Sequence, residues 1–203
     1  MNVFYTSNNT KTCASDHCKV HVRKMIVEYA QLLSSAKRLI DGKLEDVYVS
    51  VRKSIVDQYG NKKTVLKLKK KKWYTLDSDV FAVRFGLKIL LDKDVYAISH
   101  QNHPSAVWVR ESDEHYIWLH TLMSELCSLY NNNSGGKTHK TSEKLGVLSE
   151  LPSGIQSNGF CEPPQCMPDE YQQDSTTEAY MDYLTAKYVE WETRDKPIKV
   201  EFY

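Results

Sequence analysis

One apolar stripe near the start of the chain constrains the fold more than any other feature of the sequence. Its members step alternately by four and three residues, which is the spacing of the buried face of an amphipathic α-helix. The stripe comprises Val22, Ile26, Tyr29, Leu33, Ala36 and Ile40. Ser15 or Asp16 can cap the start of such a helix, and Asp41-Gly42 is a typical helix end. The sequence therefore predicts one long helix from Ser15 to Ile40.

The period of the apolar residues changes after this helix. Alternating patterns at 47–51 and 65–69 flank the turn formers Tyr59-Gly60-Asn61, as expected for a β-hairpin. The segment 78–91 suits a short helix or a strand equally.

Helical patterns return in the second half of the chain, at Ser105–Tyr130, 141–150 and Asp174–Trp191. We therefore predict a mainly α fold. Residues 1–203 are expected to form a single compact helical domain, with a basic β-hairpin and its linker inserted at 43–98.

The 203 residues carry a formal net charge of only +1, but the charges are segregated. Residues 42–73 hold ten basic and three acidic side chains, whereas 143–203 hold five basic and twelve acidic ones. A basic element on a more acidic body is typical of proteins that contact an anion.

A run of basic residues lies in the second predicted strand of the hairpin: Lys67, Lys69, Lys70, Lys71 and Lys72. Their interleaving with Leu66, Leu68 and Trp73 favours an arm that grips a nucleic acid. A solvated charged face is the alternative interpretation.

A row of polar residues borders the apolar stripe of the first helix: His17, His21, Lys24, Glu28 and Gln31. Imidazole, ammonium and carboxylate groups on successive turns provide what general acid–base catalysis requires. We predict His21, Lys24 and Glu28 as catalytic, with His17 and Gln31 binding substrate. The alternative is a helix surface with ion pairs four residues apart. The opposite face is expected to be exposed to solvent: Arg23, Ser34, Lys37 and Arg38.

A metal site is a further alternative in this region, because Cys13, His17, Cys18 and His21 are all zinc ligand types. Their spacing does not match the usual paired knuckles, and Cys18 points about 100° away from the histidine face. We therefore expect no metal and no other cofactor. The five cysteines, an odd number, are expected to be reduced thiols.

Several residues outside the first helix are candidates for binding substrate. His103, Trp108 and Arg110 lie where a loop enters a helix, a position that attracts phosphate and where Trp108 could stack on a base. Their alternative roles are in the helix start and the core. His139 lies between Lys137 and Lys140.

Gln165 and Tyr171 lie in a proline-rich loop. Their side chains could read and stack on a base, or the loop could be a rigid strap across the protein.

Other function classes lack support in the sequence. It contains no glycine-rich phosphate loop, no Gly-x-Ser-x-Gly motif and no His-Glu-x-x-His motif. No apolar run approaches the roughly 18 residues of a membrane span, so we expect no membrane partner.

The motifs together resemble a group of small bacteriophage proteins. The resemblance rests on the starting Met-Asn-Val-Phe-Tyr and on the row from Cys13 to Gln31. It continues in Asn102-His103-Pro104 with Trp108 and Arg110-Glu111, in His139-Lys140, and in the loop from Pro163 to Tyr171. It covers most of the chain outside 43–98, and it implies a protein that acts in the cytoplasm of a phage's host cell.

More distantly, the first helix is similar to that of the phage pyrimidine-dimer DNA glycosylases. In that family a His and a Glu seven residues apart lie on the first helix, as His21 and Glu28 do here. The resemblance implies that Glu28 is the catalytic acid and that the chain's own α-amine forms a Schiff base. The family exposes Thr after losing Met, whereas Asn2 should retain Met1 here, so the amine would belong to Met1. The arginines that flank the family's Glu are replaced by Val27 and Gln31.

From these features we expect a DNA glycosylase-like enzyme that cleaves an N-glycosidic bond in a nucleic-acid base or nucleotide. The alternative is a non-catalytic phage factor that binds a nucleotide or a host protein and so inhibits a host system.

Overall fold

The computed structural model of this protein describes residues 2–203. Helices account for 44% of the chain and strands for 19%, with six α-helices and a four-stranded mixed sheet in the described part. The fold is thus an α/β mixture, and the prediction of a mainly α fold is wrong. The main reason is the segment 78–91, whose pattern was ambiguous and which contributes two strands.

The chain divides into two compact units. The sheet unit comprises residues 41–94, and the helical unit comprises 2–40 together with 95–203. The segment predicted as an insertion, 43–98, contains nearly all of the sheet unit.

The helical unit begins with two helices, α1 at Thr10–Ser15 and α2 at Lys19–Asp41, in place of the single helix predicted from Ser15. Asn9 caps α1, because its Oδ1 accepts hydrogen bonds from the backbone N–H groups of Lys11 and Thr12. His17 and Cys18 therefore lie between the helices. The apolar stripe on α2 is buried as predicted from Val22 to Ala36.

The face of α2 that was expected to meet solvent is largely buried, which corrects that prediction. Ser34, Lys37 and Arg38 are 0%, 9% and 1% exposed. Lys37 Nζ donates to the backbone carbonyls of Val147 and Glu150, at 3.2 and 3.0 Å. The helix is therefore enclosed on nearly all sides along its second half.

Two more helices replace the predicted helix from Ser105 to Tyr130. They are α3 at Pro104–Glu111 and α4 at Asp113–Asn133, separated by Ser112 in an extended conformation. A 3-10 turn at Lys140–Lys144 then leads into the short α5 at Leu145–Ser149.

The last helix, α6 at Thr176–Thr193, confirms the helix predicted near the end of the chain. A long segment without strands, containing a 3-10 turn at Asp169–Tyr171, connects α5 to α6. Apolar side chains of α2, α4 and α6 form the core, among them Ile26, Tyr29, Leu33, Leu119, Leu122, Met123, Leu126 and Tyr180.

The sheet unit has the strand order β2-β1-β4-β3. The predicted hairpin is confirmed as β1 at Lys43–Val56 and β2 at Lys62–Thr75, which pair along their whole length. The added strands are β3 at Val80–Arg84 and β4 at Leu87–Asp92. β4 runs parallel to β1 and pairs with it at Tyr48 and Val49.

None of the helices in residues 2–203 combines the length and the apolar character needed to cross a membrane.

Candidate functional site

An extended segment at the beginning of the described chain lies against the middle of α2. Val3, Phe4 and Tyr5 are buried, and the Phe4 N–H donates to Tyr29 Oη at 3.2 Å. The Cys13 thiol donates to the Phe4 carbonyl at 3.0 Å. Met1, predicted as a nucleophile, lies outside the described residues.

His17, predicted to bind substrate, is a core residue that is 1% exposed. Its Nδ1 donates to the Cys13 carbonyl at 2.8 Å, so its Nε2 accepts from Tyr29 Oη at 3.3 Å. Burial lowers the pKa of His17 to about 4, which keeps the ring neutral at pH 7. Both ring nitrogens have hydrogen-bond partners within the protein, so His17 holds the segment between α1 and α2 in place.

His21, predicted as catalytic, is 2% exposed and enclosed by aromatic rings. Its ring centroid lies 5.0 Å from that of Phe4, 5.3 Å from that of Tyr188 and 4.7 Å from that of Trp191. Burial is the main cause that lowers the pKa of His21 to about 3, and nearby positive charges, including those of Lys187 and Lys24, act in the same direction.

The tautomer of His21 follows from the bonds of Tyr188. Tyr188 Oη has one hydrogen, which it donates to the Asp16 carbonyl at 3.2 Å, while it accepts from the Cys18 N–H. His21 Nδ1, 3.0 Å away, is therefore the donor to Tyr188 Oη. The unprotonated Nε2 is left as an acceptor.

Glu28 and Lys24 form an ion pair one turn apart on α2. The Lys24 Nζ lies 3.4 Å from Glu28 Oε1. The carboxylate is recessed, with a side chain 18% exposed, whereas the Lys24 side chain is 63% exposed. A shielded carboxylate beside an exposed ammonium group can stabilise positive charge that develops on a substrate. Gln31, one turn further along α2, is half-buried.

His103 precedes and caps α3, and the charge of Glu28 acts on its imidazole. Burial lowers the pKa of His103, and the negative charge of Glu28 partly opposes that shift. His103 Nδ1 accepts the Ser105 N–H at 3.2 Å as the cap of α3. Its proton in the neutral form is therefore on Nε2, which is a hydrogen-bond donor.

A group on α6 was not predicted from the sequence to belong to a site. It comprises Tyr183, Lys187 and Trp191. The Lys187 Nζ lies 5.4 Å from the ring centroid of Tyr183 and 5.6 Å from that of Trp191. Both distances are typical of cation–π contacts. The three residues are spaced four apart on one helix face, which was the available signal. We call Lys24, Glu28 and Lys187, with the rings of Tyr183 and Trp191, the α2–α6 site, because the charges of Lys24 and Lys187 both act on His21, whose ring centroid lies 4.7 Å from that of Trp191.

Tyr171 joins the edge of this group, because its ring packs edge-on against Tyr183 at 5.4 Å. Gln165 instead holds its own loop together. Its side chain donates to the Gln173 carbonyl and accepts the Gln173 N–H, at 2.6 and 2.9 Å. This pattern corresponds to the rigid strap considered as its alternative role.

The other predicted binding residues lie in structural positions. Trp108 is 3% exposed and stacked on His115, and its Nε1 donates to the Cys161 carbonyl. Its indole is therefore not accessible for stacking on a base. Arg110 Nη1 donates to the carbonyls of Gln101 and Ala106 at 2.7 and 2.9 Å, which fixes the loop before α3.

His139 caps the 3-10 turn at Lys140–Lys144, because its Nδ1 accepts the Thr141 N–H at 3.2 Å. Its ring packs edge-on against Tyr130 at 5.1 Å. Burial lowers the pKa of His139, and a hydrogen bond to the backbone of Arg23 partly opposes that shift.

The possible metal ligands form no metal-binding group. Across residues 2–203, no three His, Cys, Asp or Glu side chains are arranged to hold an ion. Burial raises the pKa of the Cys13 thiol, which opposes formation of the thiolate that zinc would require.

Two surface cavities lie elsewhere in the helical unit. One, of about 530 Å³, is lined by Asn8, Asn9, Thr10, Glu114, Ile117, Trp118, Thr121 and Phe160. The other, of about 500 Å³, is lined by Lys11, Thr12, Ala14, Ser15, Glu125, Ser128, Leu129 and Asn132. Neither includes a residue predicted from the sequence to act on a substrate.

Comparison of this chain with known family models, curated proteins and solved structures gives no match in any of the three.

Proposed function

We propose that this protein cleaves an N-glycosidic bond in a nucleic-acid base or nucleotide, in the manner of a DNA glycosylase, with Glu28 as the catalytic carboxylate. The observation that supports this proposal most is the recessed carboxylate of Glu28, whose side chain is 18% exposed and whose Oε1 lies 3.4 Å from Lys24 Nζ. A carboxylate and a cation are then available to one substrate, and the neutral imidazole of His103, whose pKa the charge of Glu28 affects, is proposed as the donor.

The chemistry follows from these three groups. When the bond between the sugar C1′ and the base nitrogen breaks, the electron pair leaves with the base and the sugar becomes an oxocarbenium ion. The Glu28 carboxylate stabilises that positive charge, a water molecule adds to C1′, and the proton that this water loses balances the negative charge of the departed base. His103 Nε2–H is a donor to the departing base, and Lys24 with Lys187 offers two cations for a phosphate.

His21 has a supporting role in this proposal. Because it is neutral and bonded to Tyr188 Oη, it holds the start of α2 against α6. It therefore positions Lys24 and Lys187 rather than transferring a proton to the substrate.

A covalent variant of the reaction uses the α-amine of Met1. A neutral amine attacks C1′ as the base departs with the electron pair of the broken bond, and the amine loses a proton; breaking of the C1′–O4′ bond, with a proton going to O4′, then gives a Schiff base. Borohydride reduces such an intermediate to a stable adduct, so trapping on DNA tests this step separately from base release.

Glu28→Gln is the direct test of the proposal. We expect base release from at least one of damaged duplex DNA, single-stranded DNA, RNA and free nucleotides, and a fall of about 100-fold or more in Glu28→Gln. Glu150→Gln is the matched control, since the Glu150 side chain is 76% exposed and paired with Lys37 outside the α2–α6 site. Unchanged turnover in Glu28→Gln, or none in the wild type, contradicts the proposal.

The internal bonding of the histidines favours one second candidate, a phage factor that binds a nucleotide or host protein without chemistry and inhibits a host system. Both nitrogens of His17 are occupied, and Glu28 already has an ion-pair partner. Tight binding of a nucleotide or host protein by a wild type that cleaves nothing supports this candidate instead.

A further inference from the structure

The lysine run of β2 is divided between the two faces of the sheet. Side chains alternate along a strand, so Lys67, Lys69 and Lys71 share one face, while Lys70 and Lys72 share the other. The pairing with β1 agrees, because the first three lie opposite Val51, Val49 and Val47. We call the side that carries Lys67, Lys69 and Lys71 the odd face.

The two faces differ in how their lysines are compensated. Lys70 and Lys72 lie 3.1 and 3.2 Å from the carboxylate of Asp46. Hydrogen bonds from both ammonium groups hold the pKa of Asp46 below its usual value, so this carboxyl stays charged. One negative charge is thus shared between two lysines.

The odd face carries three lysines that form no ion pair with any acidic side chain in residues 2–203. An acidic residue on that face, Glu45, is bound by Lys88 at 2.6 Å and by Thr75 at 2.7 Å. All three lysines are exposed, and their partners on β1 are Val51, Val49 and Val47, of which Val47 is fully buried. The row presents three positive charges over about 14 Å, and the Glu45 carboxylate on the same face is already bound by Lys88.

We propose that the odd face of β2 is the surface that binds the phosphodiester backbone of a nucleic acid, through Lys67, Lys69 and Lys71, and that Lys70 and Lys72 make no direct contact. This inference rests on the nucleic-acid partner of the proposed function. A row of ammonium groups neutralises successive phosphates without reading the bases, so the surface supplies affinity rather than sequence preference.

Two double variants of the full-length protein test the proposal. Lys67→Gln/Lys69→Gln and Lys70→Gln/Lys72→Gln remove the same charge from the same strand and differ in the face they alter. Binding is measured by fluorescence anisotropy with a labelled single-stranded oligonucleotide and with its duplex, over a series of salt concentrations.

We expect the odd-face variant to bind at least about tenfold more weakly than the other at low salt. The plot of log K against log salt should become shallower for this variant. The magnitude of its slope should decrease by about 1.4 for the single strand or about 1.8 for the duplex, as expected for two lost phosphate contacts. The slope of the Lys70→Gln/Lys72→Gln protein should stay near that of the wild type. Comparison of the single strand with the duplex identifies which form is the preferred partner.

Equal losses in the two variants overturn the proposal, because they mean that only net charge matters; absence of binding to both probes also overturns it. Glu28→Gln separates this proposal from the catalytic one. If the wild type cleaves nothing but binding depends on the odd face, only the cleavage proposal fails. If Glu28-dependent cleavage occurs without a difference between faces, only the odd-face proposal fails.

Discussion

The two units of this protein treat ionisable side chains in opposite ways. The helical unit encloses His17, His21 and Arg38, which are all 2% exposed or less, and satisfies them with internal hydrogen bonds. The sheet unit leaves Lys67, Lys69 and the other lysines of β2 in solvent. The buried ionisable groups of the helical unit are therefore part of its structure, whereas the charges on β2 are exposed to solvent. This difference gives the units separate sensitivities to mutation and to pH.

Arg38 provides the largest expected effect. Its Nε donates to the Tyr96 carbonyl at 2.7 Å and its Nη2 to the Val95 carbonyl at 3.2 Å. Arg38→Met leaves these carbonyls without those donors, so we expect the free energy of unfolding to fall by about 3 kcal/mol or more. Urea denaturation measures the change. Arg52→Met on β1 is the control and should leave the midpoint unchanged; a similar loss in both variants would remove the contrast between units.

Acid should destabilise the helical unit through His17 and His21. Both pKa values are lower in the folded protein, about 4 and about 3, than the ordinary 6.5. Between the folded and the unfolded pKa values, the unfolded chain binds more protons than the folded protein. The stability that the neutral histidines contribute is therefore fully present above pH 6.5, and it is lost as the pH falls towards 4 for His17 and towards 3 for His21. At pH 5 the loss is about 2 kcal/mol for each histidine.

Urea denaturation at pH 7 and pH 5 measures this dependence. His17→Gln should be less stable at pH 7 but should lose less on acidification than the wild type. Equal stability of the wild type at the two pH values contradicts the assignment of neutral, buried rings.

Tyr29→Phe tests a single hydroxyl in the same core. Its removal deprives the Phe4 N–H and His17 Nε2 of a partner. We expect a loss of about 1–2 kcal/mol, the usual consequence of an unsatisfied buried group. Tyr59→Phe at the hairpin turn, where the side chain is 79% exposed, is the matched substitution and should have no effect. Thermal unfolding of the two proteins in parallel distinguishes them.

Lys70→Ala is expected to have the smallest effect on stability. Its ion pair with Asp46 is exposed on both sides, and such pairs contribute little because solvent screens them. The thermal midpoint should not move measurably. A clear decrease would mean that the sheet unit also depends on its charges.

The regular elements with strong periodicity were predictable from the sequence, and their interruptions were not. In β1 and β2 the apolar residues alternate, and in α6 they recur at helical spacing, so each pattern favours a single kind of element. The gap at Asp16–Cys18 was missed because the apolar stripe begins only at Val22, while the signal for a separate helix was the capping Asn9. Arg38 was assigned to solvent because a sequence pattern does not show that carbonyls of residues 95 and 96 will surround it.

Within the candidate site, the sequence predicted Lys24 and Glu28 on α2 but not the three residues that share a face of α6. The spacing of Lys24 and Glu28 gave their ion pair directly, as residues four apart on a helix are neighbours. Lys187 comes from a helix more than 150 residues later, and no local pattern connects it to His21. Contacts of that kind depend on tertiary packing.

The hydrogen bond between Tyr188 Oη and the backbone at Asp16 and Cys18 joins residues about 170 positions apart. Lys19, whose N–H donates to the Glu201 carbonyl at 2.7 Å, extends that connection. During synthesis, the start of α2 must therefore wait for residues 188–201 to leave the ribosome before it acquires these native contacts. A nascent chain therefore leaves the start of α2 incomplete until these later residues are available, whatever its earlier segments have already formed.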